Sequence, residues 1–238
     1  MLVGEARTPE GLRLYAIGDV HGCDDKLLAV HGAIAADLAA RPAPDHRIIH
    51  IGDYGDRGPE SAAVIGRLAA LAARDPRVLC LRGNHDQILL DFLADPAANG
   101  AMLLRNGGKE TLRSYGVGLR SRTYEQLGAE LALKMPAADR EFLGALPLSC
   151  RFGDYFFCHA GIRPGVGLDE QEAQDLLWIR EEFLDDRRDF GAVVVHGHTV
   201  TNTLAPEIHP NRIAIDSGAI FSGPLSCVVL EGTDVRFL

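Results

Sequence analysis

Five short segments of the chain set oxygen and imidazole donors beside glycine. They are Gly18-Asp19-Val20-His21-Gly22, Gly52-Asp53-Tyr54-Gly55-Asp56-Arg57-Gly58, Gly83-Asn84-His85-Asp86, His159-Ala160-Gly161 and His196-Gly197-His198-Thr199. Glycine turns the chain sharply and keeps side-chain bulk away from its neighbours. Asp, Asn and His without paired thiolates suit manganese, iron or zinc in a reactive site rather than a structural zinc cluster. A carboxylate such as Asp53 is able to bridge two ions about 3.5–4 Å apart, the spacing of two-metal hydrolases. Taken alone, Asp19 reads equally as a turn residue or as a ligand. Five such segments in succession point instead to one shared site.

For the five to meet, regular elements must deliver them, and each follows an apolar run. The runs Leu14–Ile17, Arg47–Ile51, Val78–Leu81, Tyr155–Cys158, Ala192–Val195, Ile213–Ile215, Cys227–Leu230 and Val235–Leu238 are short and rich in β-branched or aromatic residues, as buried strands are. Helices are predicted over Asp24–Ala40, with Leu27, Leu28, Ile34 and Leu38 apolar, over Pro59–Arg74, opened by its proline, and over Asp169–Asp185. The front of the chain reads β-α-β-α-β, and the back ends in strands joined by short turns. Residues 91–150 contain helical pieces and Gly107-Gly108 but no clear strand pair. They read as a mostly helical insertion that shapes the pocket wall. No repeat, low-complexity tract or linker interrupts residues 1–238, so a single α+β domain is expected, a mixed sheet system with helices outside it. Loops at the carboxyl ends of strands form the ligand crevice of open α/β sheets, which brings the five segments together.

The chain has 238 residues, 24 basic and 33 acidic, for a net charge of −9. An acidic surface repels nucleic acid and anionic membranes at long range, so neither is expected as a partner. Phosphate binding by such a chain needs local positive charge, which bound divalent ions would supply. The amino-terminal segment lacks a signal-peptide pattern and no apolar run is long enough to span a bilayer. The five cysteines, Cys23, Cys80, Cys150, Cys158 and Cys227, are odd in number and have no CxxC spacing. Free thiols and a cytoplasmic location are expected, with Cys80, Cys158 and Cys227 packed in the core. Among the other histidines, His50 reads as a core residue, and His31, His46 and His209 as surface or turn residues. His196 precedes His198 by two, so both would face one side of an extended strand. His198 is favoured as a ligand and His196 as its neighbour.

Taken together, the motifs GDVHG, GDYGDRG, LRGNHD, HAG and HGHT resemble, in order and spacing, those of the phosphoprotein phosphatase family of the calcineurin-like metallophosphoesterases, from about Leu14 to Leu230. The resemblance is closest to the compact bacterial and phage members, which act on phosphoserine, phosphothreonine and other phosphoesters. It implies an α/β/β/α four-layer sandwich of two mixed sheets flanked by helices. It also implies a first metal held by Asp19, His21 and Asp53, and a second held by Asp53, Asn84, His159 and His198. His85 and Asp56 would form the catalytic pair. Arg57, Arg180 and Asn84 would bind the phosphate, with Arg180 matching the WIR segment of bacterial members. The expected cofactor is two divalent ions, manganese by analogy with bacterial relatives, with iron or zinc as alternatives.

These residues imply a phosphomonoesterase, read first as a serine/threonine protein phosphatase using a metal-bridging hydroxide, with a phosphoprotein or small phosphoester as substrate. The alternative is a symmetrical dinucleoside tetraphosphatase hydrolysing diadenosine tetraphosphate. The second motif of those enzymes typically reads GDLVARGP and lacks the aspartate present here as Asp56. A phosphoanhydride leaving group needs less help from an Asp-supported acid than an alcohol does, so Asp56 favours the first reading. A non-catalytic binding module is disfavoured because every ligand is retained. One departure stands out. The family usually has a branched apolar residue where this chain has Gly55, so Gly55→Val is expected to be tolerated and even stabilising. Asn106-Gly107-Gly108-Lys109 reads as a helix-joining turn, and Arg163 either as a substrate contact or as a surface charge.

Overall fold

All six residues of the first strand, β1 (Leu12–Ile17), are buried, because both its faces are covered. Tyr15 and Ile17 enter one core, and Leu12, Leu14 and Ala16 enter another. This is strand periodicity with apolar packing on either side. The computed structural model describes residues 1–238, and the rest of the chain follows from the same alternation.

After β1 come α1 (Asp24–Ala40), β2 (Asp45–His50), α2 (Ser61–Arg74) and β3 (Val78–Cys80). A helical run follows, comprising α3 (Asn84–Ala94), α4 (Pro96–Arg105), α5 (Gly108–Ser114), α6 (Tyr124–Lys134) and α7 (Ala137–Ala145). The second half contains β4 (Ser149–Phe152), β5 (Tyr155–Cys158), α8 (Ala173–Trp178), α9 (Glu181–Leu184), β6 (Val193–His196), β7 (Glu207–Ile208), β8 (Arg212–Ala214), β9 (Cys227–Glu231) and β10 (Asp234–Phe237). The strands form two five-stranded sheets, ordered β10-β9-β1-β2-β3 and β4-β5-β6-β8-β7. In the first, β1, β2 and β3 run parallel, β9 pairs antiparallel with β1, and β10 pairs antiparallel with β9. In the second, β5, β6 and β8 run parallel between antiparallel β4 and β7.

Three cores make the four layers. The sheets meet through Leu14, Ile49, Ile51, Tyr155, Phe157, Val193, Val195, Ile213 and Val228. The outer face of the first sheet packs on α1, α2, α3 and the leucines of the insertion, Leu103, Leu112, Leu127, Leu131 and Leu143. The outer face of the second sheet, through Phe156, Cys158 and Val194, packs on Leu176, Ile179 and Phe183 of the α8–α9 region. The expected sandwich of two mixed sheets flanked by helices is the observed fold. No helix is long and apolar enough to cross a membrane. All five cysteines are free; Cys23, Cys80, Cys158 and Cys227 are buried and Cys150 is half-buried.

Three expectations need correction. The helix expected over Asp169–Asp185 is broken into a 3-10 turn at Leu168–Glu170 and the short helices α8 and α9. The break at Arg180, where φ is −133° and ψ −103°, frees that residue from helical geometry. The helical run begins at Asn84 rather than 91, so α3 carries ligand candidates on its first turn. Strands β4 and β7 were not expected: β4 meets the core only through Cys150 and Phe152, and β7 is two residues long with Ile208 exposed.

One buried ion network ties α1 to the first sheet. The Asp37 carboxylate accepts from the Tyr15 hydroxyl at 2.6 Å and from Arg236 at 2.6 Å, and it also pairs with Arg41 and with the buried Arg13. Burial opposes this charge, but Arg236, Tyr15 and Arg41 outweigh it and hold Asp37 below the usual carboxylate range. Its contribution is therefore complete above the ordinary carboxylate pKa and is lost as the pH falls through the depressed value. Asp37→Ala removes the acceptor of the buried Tyr15 hydroxyl and the partner of Arg236, while Arg13 keeps Glu231, and is expected to destabilise the fold by about 1–3 kcal/mol in urea titrations near neutral pH. A loss below about 1 kcal/mol would show that the network adds nothing beyond a surface pair.

Candidate metal centre

Seven non-glycine residues have positive φ, and five of them lie in the predicted motifs: His21 (43°), Asp53 (55°), Asp56 (66°), Arg57 (66°) and His198 (64°). Each such conformation costs about 1–3 kcal/mol and persists only where its surroundings impose it. Here the loops impose it on one another. The backbone N–H groups of Val20 and His21 donate to the Asp53 carbonyl at 3.2 and 2.8 Å, and Gly197 N–H donates to the His159 carbonyl at 2.8 Å. The carboxylate of Asp86 accepts from the backbone N–H of Asp53 at 2.9 Å, Gly83 at 2.8 Å and Tyr54 at 3.1 Å. Two glycines are required by close approach. A Cβ on Gly83 would lie 2.1 Å from Asp53 Oδ1, and one on Gly197 would lie 2.1 Å from Asp19 Oδ1.

Asp53 is the centre of the cluster and is 1% exposed. Its Oδ1 lies 3.4 Å from His159 Nε2, while its Oδ2 lies 3.5 Å from His21 Nε2 and 3.9 Å from His85 Nε2. The two oxygens thus face two different sets of imidazoles. Burial opposes the Asp53 charge, but His159, His85 and His21 outweigh it and hold its pKa below the ordinary value. Two groups of donor atoms, His21 with Asp53 and His85, and Asp19 with Asp53 and His159, are each compact enough for an ion, and both include Asp53.

The remaining contacts fix which ring nitrogens face inward. His21 Nδ1 donates to the Gly55 carbonyl at 2.9 Å, and His159 Nδ1 donates to the Ile51 carbonyl at 3.0 Å, so each Nε2 is the lone-pair atom turned to the centre. Such outward hydrogen bonds set the tautomer of metal-binding histidines. Asn84 Oδ1 lies 2.8 Å from His159 Nε2 and 2.9 Å from His198 Nδ1, so these three atoms converge. Burial lowers His21 to about 3 and His198 to about 2, and lowers His159 as well. Neutral imidazole is the form that binds metal. Asp19, by contrast, is pushed well above the carboxylate range by burial and by the like charges of Asp216 and Asp53. Its Oδ1 is buried without a hydrogen-bond partner. Two buried carboxylates, Asp19 with an unpartnered Oδ1 and Asp53, beside neutral imidazoles and an amide oxygen form a donor set that fits divalent cations.

Beside this cluster, His85 Nδ1 donates to Asp56 Oδ2 at 2.8 Å. Burial disfavours a charged His85, but Asp53 and Asp56 outweigh it and raise its pKa. The Arg57 guanidinium donates to Nε2 of His21 at 2.9 Å and Nε2 of His85 at 2.8 Å, so it spans the cluster and the His–Asp pair. Arg180 is exposed at the α8–α9 break and donates to Thr199 Oγ1 at 2.9 Å. Next to it, the Trp178 ring meets His198 edge-on with centroids 6.2 Å apart.

The structure therefore brings together Asp19, His21, Asp53, Asp56, Arg57, Asn84, His85, His159 and His198, with Arg180 at the rim beside His198. Other expectations fare differently. His196 does not share a side with His198, because the strand ends at His196 and the positive φ of His198 redirects the chain; the His196 ring packs on Phe183 instead. His50 is buried as expected, but His31, read as a surface residue, is half-buried and its Nε2 lies 3.2 Å from His50 Nε2. His46 and His209 are half-buried. Arg163 is a surface charge, held by Asp175 at 2.6–2.7 Å and Glu182 at 2.7 Å. Asn106-Gly107-Gly108-Lys109 does join two helices, but it also borders the site, since the Gly107 carbonyl accepts from Arg57 N–H at 3.0 Å. The space above Gly55 is not open: a Cβ there would lie 3.3 Å from Thr111 Oγ1, 3.7 Å from Ser61 Cβ and 3.8 Å from Ile65 Cδ1. A side chain there requires Thr111 to give way by a few tenths of an ångström, so Gly55→Val is now expected to disturb Thr111.

Three contributors escaped the sequence reading. Asp216, buried beside Asp19, follows β8 in Asp216-Ser217-Gly218, the same strand-end-then-glycine pattern as the motifs, and that pattern was the available signal. Asp86 was read as part of a motif but given no task. Thr111 lies in the insertion, far from any motif, and donates to Asp56 Oδ1 at 2.6 Å; nothing in the sequence marked it.

Comparison with known proteins agrees with this geometry. The chain is 26% identical to an asymmetrical bis(5'-nucleosyl)-tetraphosphatase PrpE of Halalkalibacterium halodurans, over 89% of this chain and 87% of that protein. It is 28% identical to a symmetrical bis(5'-nucleosyl)-tetraphosphatase of Dechloromonas aromatica, over 93% and 94% of the two chains. Among solved structures it matches one provisionally described as a diadenosine tetraphosphatase, with a TM-score of 0.65 at 20% identity over 98% of this chain and 97% of the other. It also matches a mutant cold-active protein tyrosine phosphatase, with a TM-score of 0.61 at 16% identity over 98% and 83%. At these identities the solved structures bear on the fold alone. A family model described as calcineurin-like phosphoesterase matches residues 12–223, most of the chain, and the protein belongs to that family.

Proposed function

We propose that the protein is a metal-dependent hydrolase of dinucleoside tetraphosphates. Phosphoester hydrolysis follows from the family. The substrate class rests on the relatives named tetraphosphatases, which align with this chain over 87–94% of their own length. The first reading, a serine/threonine protein phosphatase, yields to the alternative for that reason, and a phosphoprotein substrate has no support among these relatives. The single observation that carries the mechanism is Asp53, whose two oxygens face different imidazoles from within a buried cluster.

In this reading Asp19, His21 and Asp53 would hold one divalent ion, and Asp53, Asn84, His159 and His198 would hold a second. Bound there, the ions supply positive charge for phosphoryl oxygens and lower the pKa of water. Arg57 and Arg180 take further phosphoryl oxygens, where preorganised charge supplies much of the rate. Hydrolysis joins the oxygen of water to phosphorus, and the bridging oxygen leaves with a nucleotide. In the structure His85 Nε2 accepts from Arg57; with Arg57 turned to a phosphoryl oxygen that nitrogen is free to carry a proton, and His85, steadied through Nδ1 by Asp56, offers it to the leaving oxygen. The same proton donor extends the range to phosphomonoesters of alcohols and phenols, which leave poorly without one. Manganese is the proposed metal.

Incubation with diadenosine tetraphosphate in manganese buffer, read by chromatography, is expected to yield ADP alone for symmetrical cleavage or ATP with AMP for asymmetrical cleavage. Turnover of phosphopeptides without turnover of the dinucleotide would refute the substrate. Chelation is expected to abolish activity, and manganese to restore it. Asp53→Asn should lose turnover by at least about 10³-fold, consistent with loss of a group shared by both ions. Arg57→Ala should lower kcat by about 10²–10³-fold, the usual effect of removing one charge-stabilising donor. Unchanged kcat in either variant would remove that residue from the mechanism.

A further inference from the structure

We infer that Thr111, carried by the insertion, is a positioning residue for the His85–Asp56 pair, and that Gly55 is small in order to admit it. The inference rests on the proposed role of His85 as proton donor.

Asp56 is 1% exposed and sits at a φ of 66°, so both its backbone and its carboxylate need external restraint. One carboxylate oxygen, Oδ2, accepts from His85 Nδ1 at 2.8 Å. A single bond of that kind would leave the carboxylate free to swing about its Cβ–Cγ axis. The other oxygen, Oδ1, accepts from the Thr111 hydroxyl at 2.6 Å, and the same hydroxyl oxygen accepts from the Asp56 backbone N–H at 2.8 Å. Thr111 therefore closes a ring over Asp56, fixing side chain against backbone. Ser61 Oγ helps by accepting from the same N–H at 3.1 Å, but it lies 3.2 Å from Thr111 Oγ1, so the short bond to the carboxylate is the preferred destination of the threonine proton. Thr111 itself is fully buried.

The neighbouring glycine fits this arrangement. Gly55 occupies the position where the family resemblance leads one to expect a branched apolar side chain. A Cβ added there would come within 3.3 Å of Thr111 Oγ1, tighter than ordinary contact. The hydroxyl stands in the volume that a branched side chain would fill. The turn before α5 adds a second restraint, because the Gly107 carbonyl accepts from Arg57 N–H at 3.0 Å. The insertion consequently holds both the proton donor's partner and a phosphate-binding arginine.

The test compares manganese-loaded wild type with Thr111→Val, Thr111→Ser, Gly55→Val and His85→Asn. The substrates are phenyl phosphate, whose leaving group needs a proton, and 2,4-dinitrophenyl phosphate, whose leaving group does not. Thr111→Val keeps the volume and removes the hydroxyl. It is expected to lower kcat on phenyl phosphate by about 10–100-fold, the usual effect of removing a group that orients a reacting residue. KM should change little, and 2,4-dinitrophenyl phosphate should be turned over almost normally. Thr111→Ser should restore most of the loss, and Gly55→Val, by displacing the hydroxyl, should reproduce it. Equal losses on both substrates, no loss, or a serine variant no better than valine would overturn the inference; if Thr111→Val does not fold, Gly55→Val and Thr111→Ser decide it by the same criteria. His85→Asn separates the two levels. If it shows the leaving-group pattern and Thr111→Val does not, only the role of Thr111 fails. If His85→Asn lacks the pattern, the proton-donor reading beneath it fails.

Discussion

A carboxylate almost wholly removed from water is the constraint around which this molecule is arranged. An isolated buried charge is costly, and a protein tolerates one only when it is paired, hydrogen-bonded or metal-bound. Asp53 is tolerated because the backbone N–H of His85 donates to its Oδ1 at 2.9 Å and because three imidazoles surround it. Those imidazoles arrive from the ends of different strands, so the two sheets must close on each other for the site to exist. Packing between the sheets and the chemistry of the loops are in this sense one problem. Asp19 sharpens it: beside Asp216 and Asp53 its carboxyl is forced well above the ordinary range, and a divalent cation is the natural counter-charge.

The local backbone records the same demand. Five motif residues hold positive φ; Asp and His accept it more readily than most side chains, but Arg57 does not, and the surrounding loops hold all five in place. Asp86 binds three backbone N–H groups of two loops with one carboxylate. Burial and the nearby Asp53 charge push its pKa up to about 7 while those N–H groups pull it down. Its task is architectural: it sets the backbone that aims Asp53. The site is thus built by hydrogen bonds between loops as much as by the elements that carry them.

Much of this was legible in the sequence because strands and glycine-bounded loops leave short-range marks. The alternation of Tyr15 and Ile17 with Leu14 and Ala16 is visible as an apolar run, and the donor residues follow such runs directly. What was not legible depends on contacts distant in sequence. Thr111 reaches Asp56 from 55 residues away, and no local pattern marks a threonine for that purpose. The break at Arg180 was hidden because Ala173–Leu184 has ordinary helical composition, and only its docking beside His198 and Thr199 requires the kink. His196 was misread because alternation was extended past the end of its strand. Substrate class was the least legible feature, since Asp56 speaks for a proton donor but does not name the group that leaves, and the proposed substrate is drawn from the names of relatives instead.

The central claim is that Asp53 joins two metal ions. Titration of metal-free protein with manganese, followed by electron paramagnetic resonance, addresses it most directly. The account predicts two ions bound per chain, with the spectrum of a spin-coupled pair appearing as the second binds and disappearing in Asp53→Asn. A single bound ion, two uncoupled ions, or a coupled pair that survives in Asp53→Asn would contradict it.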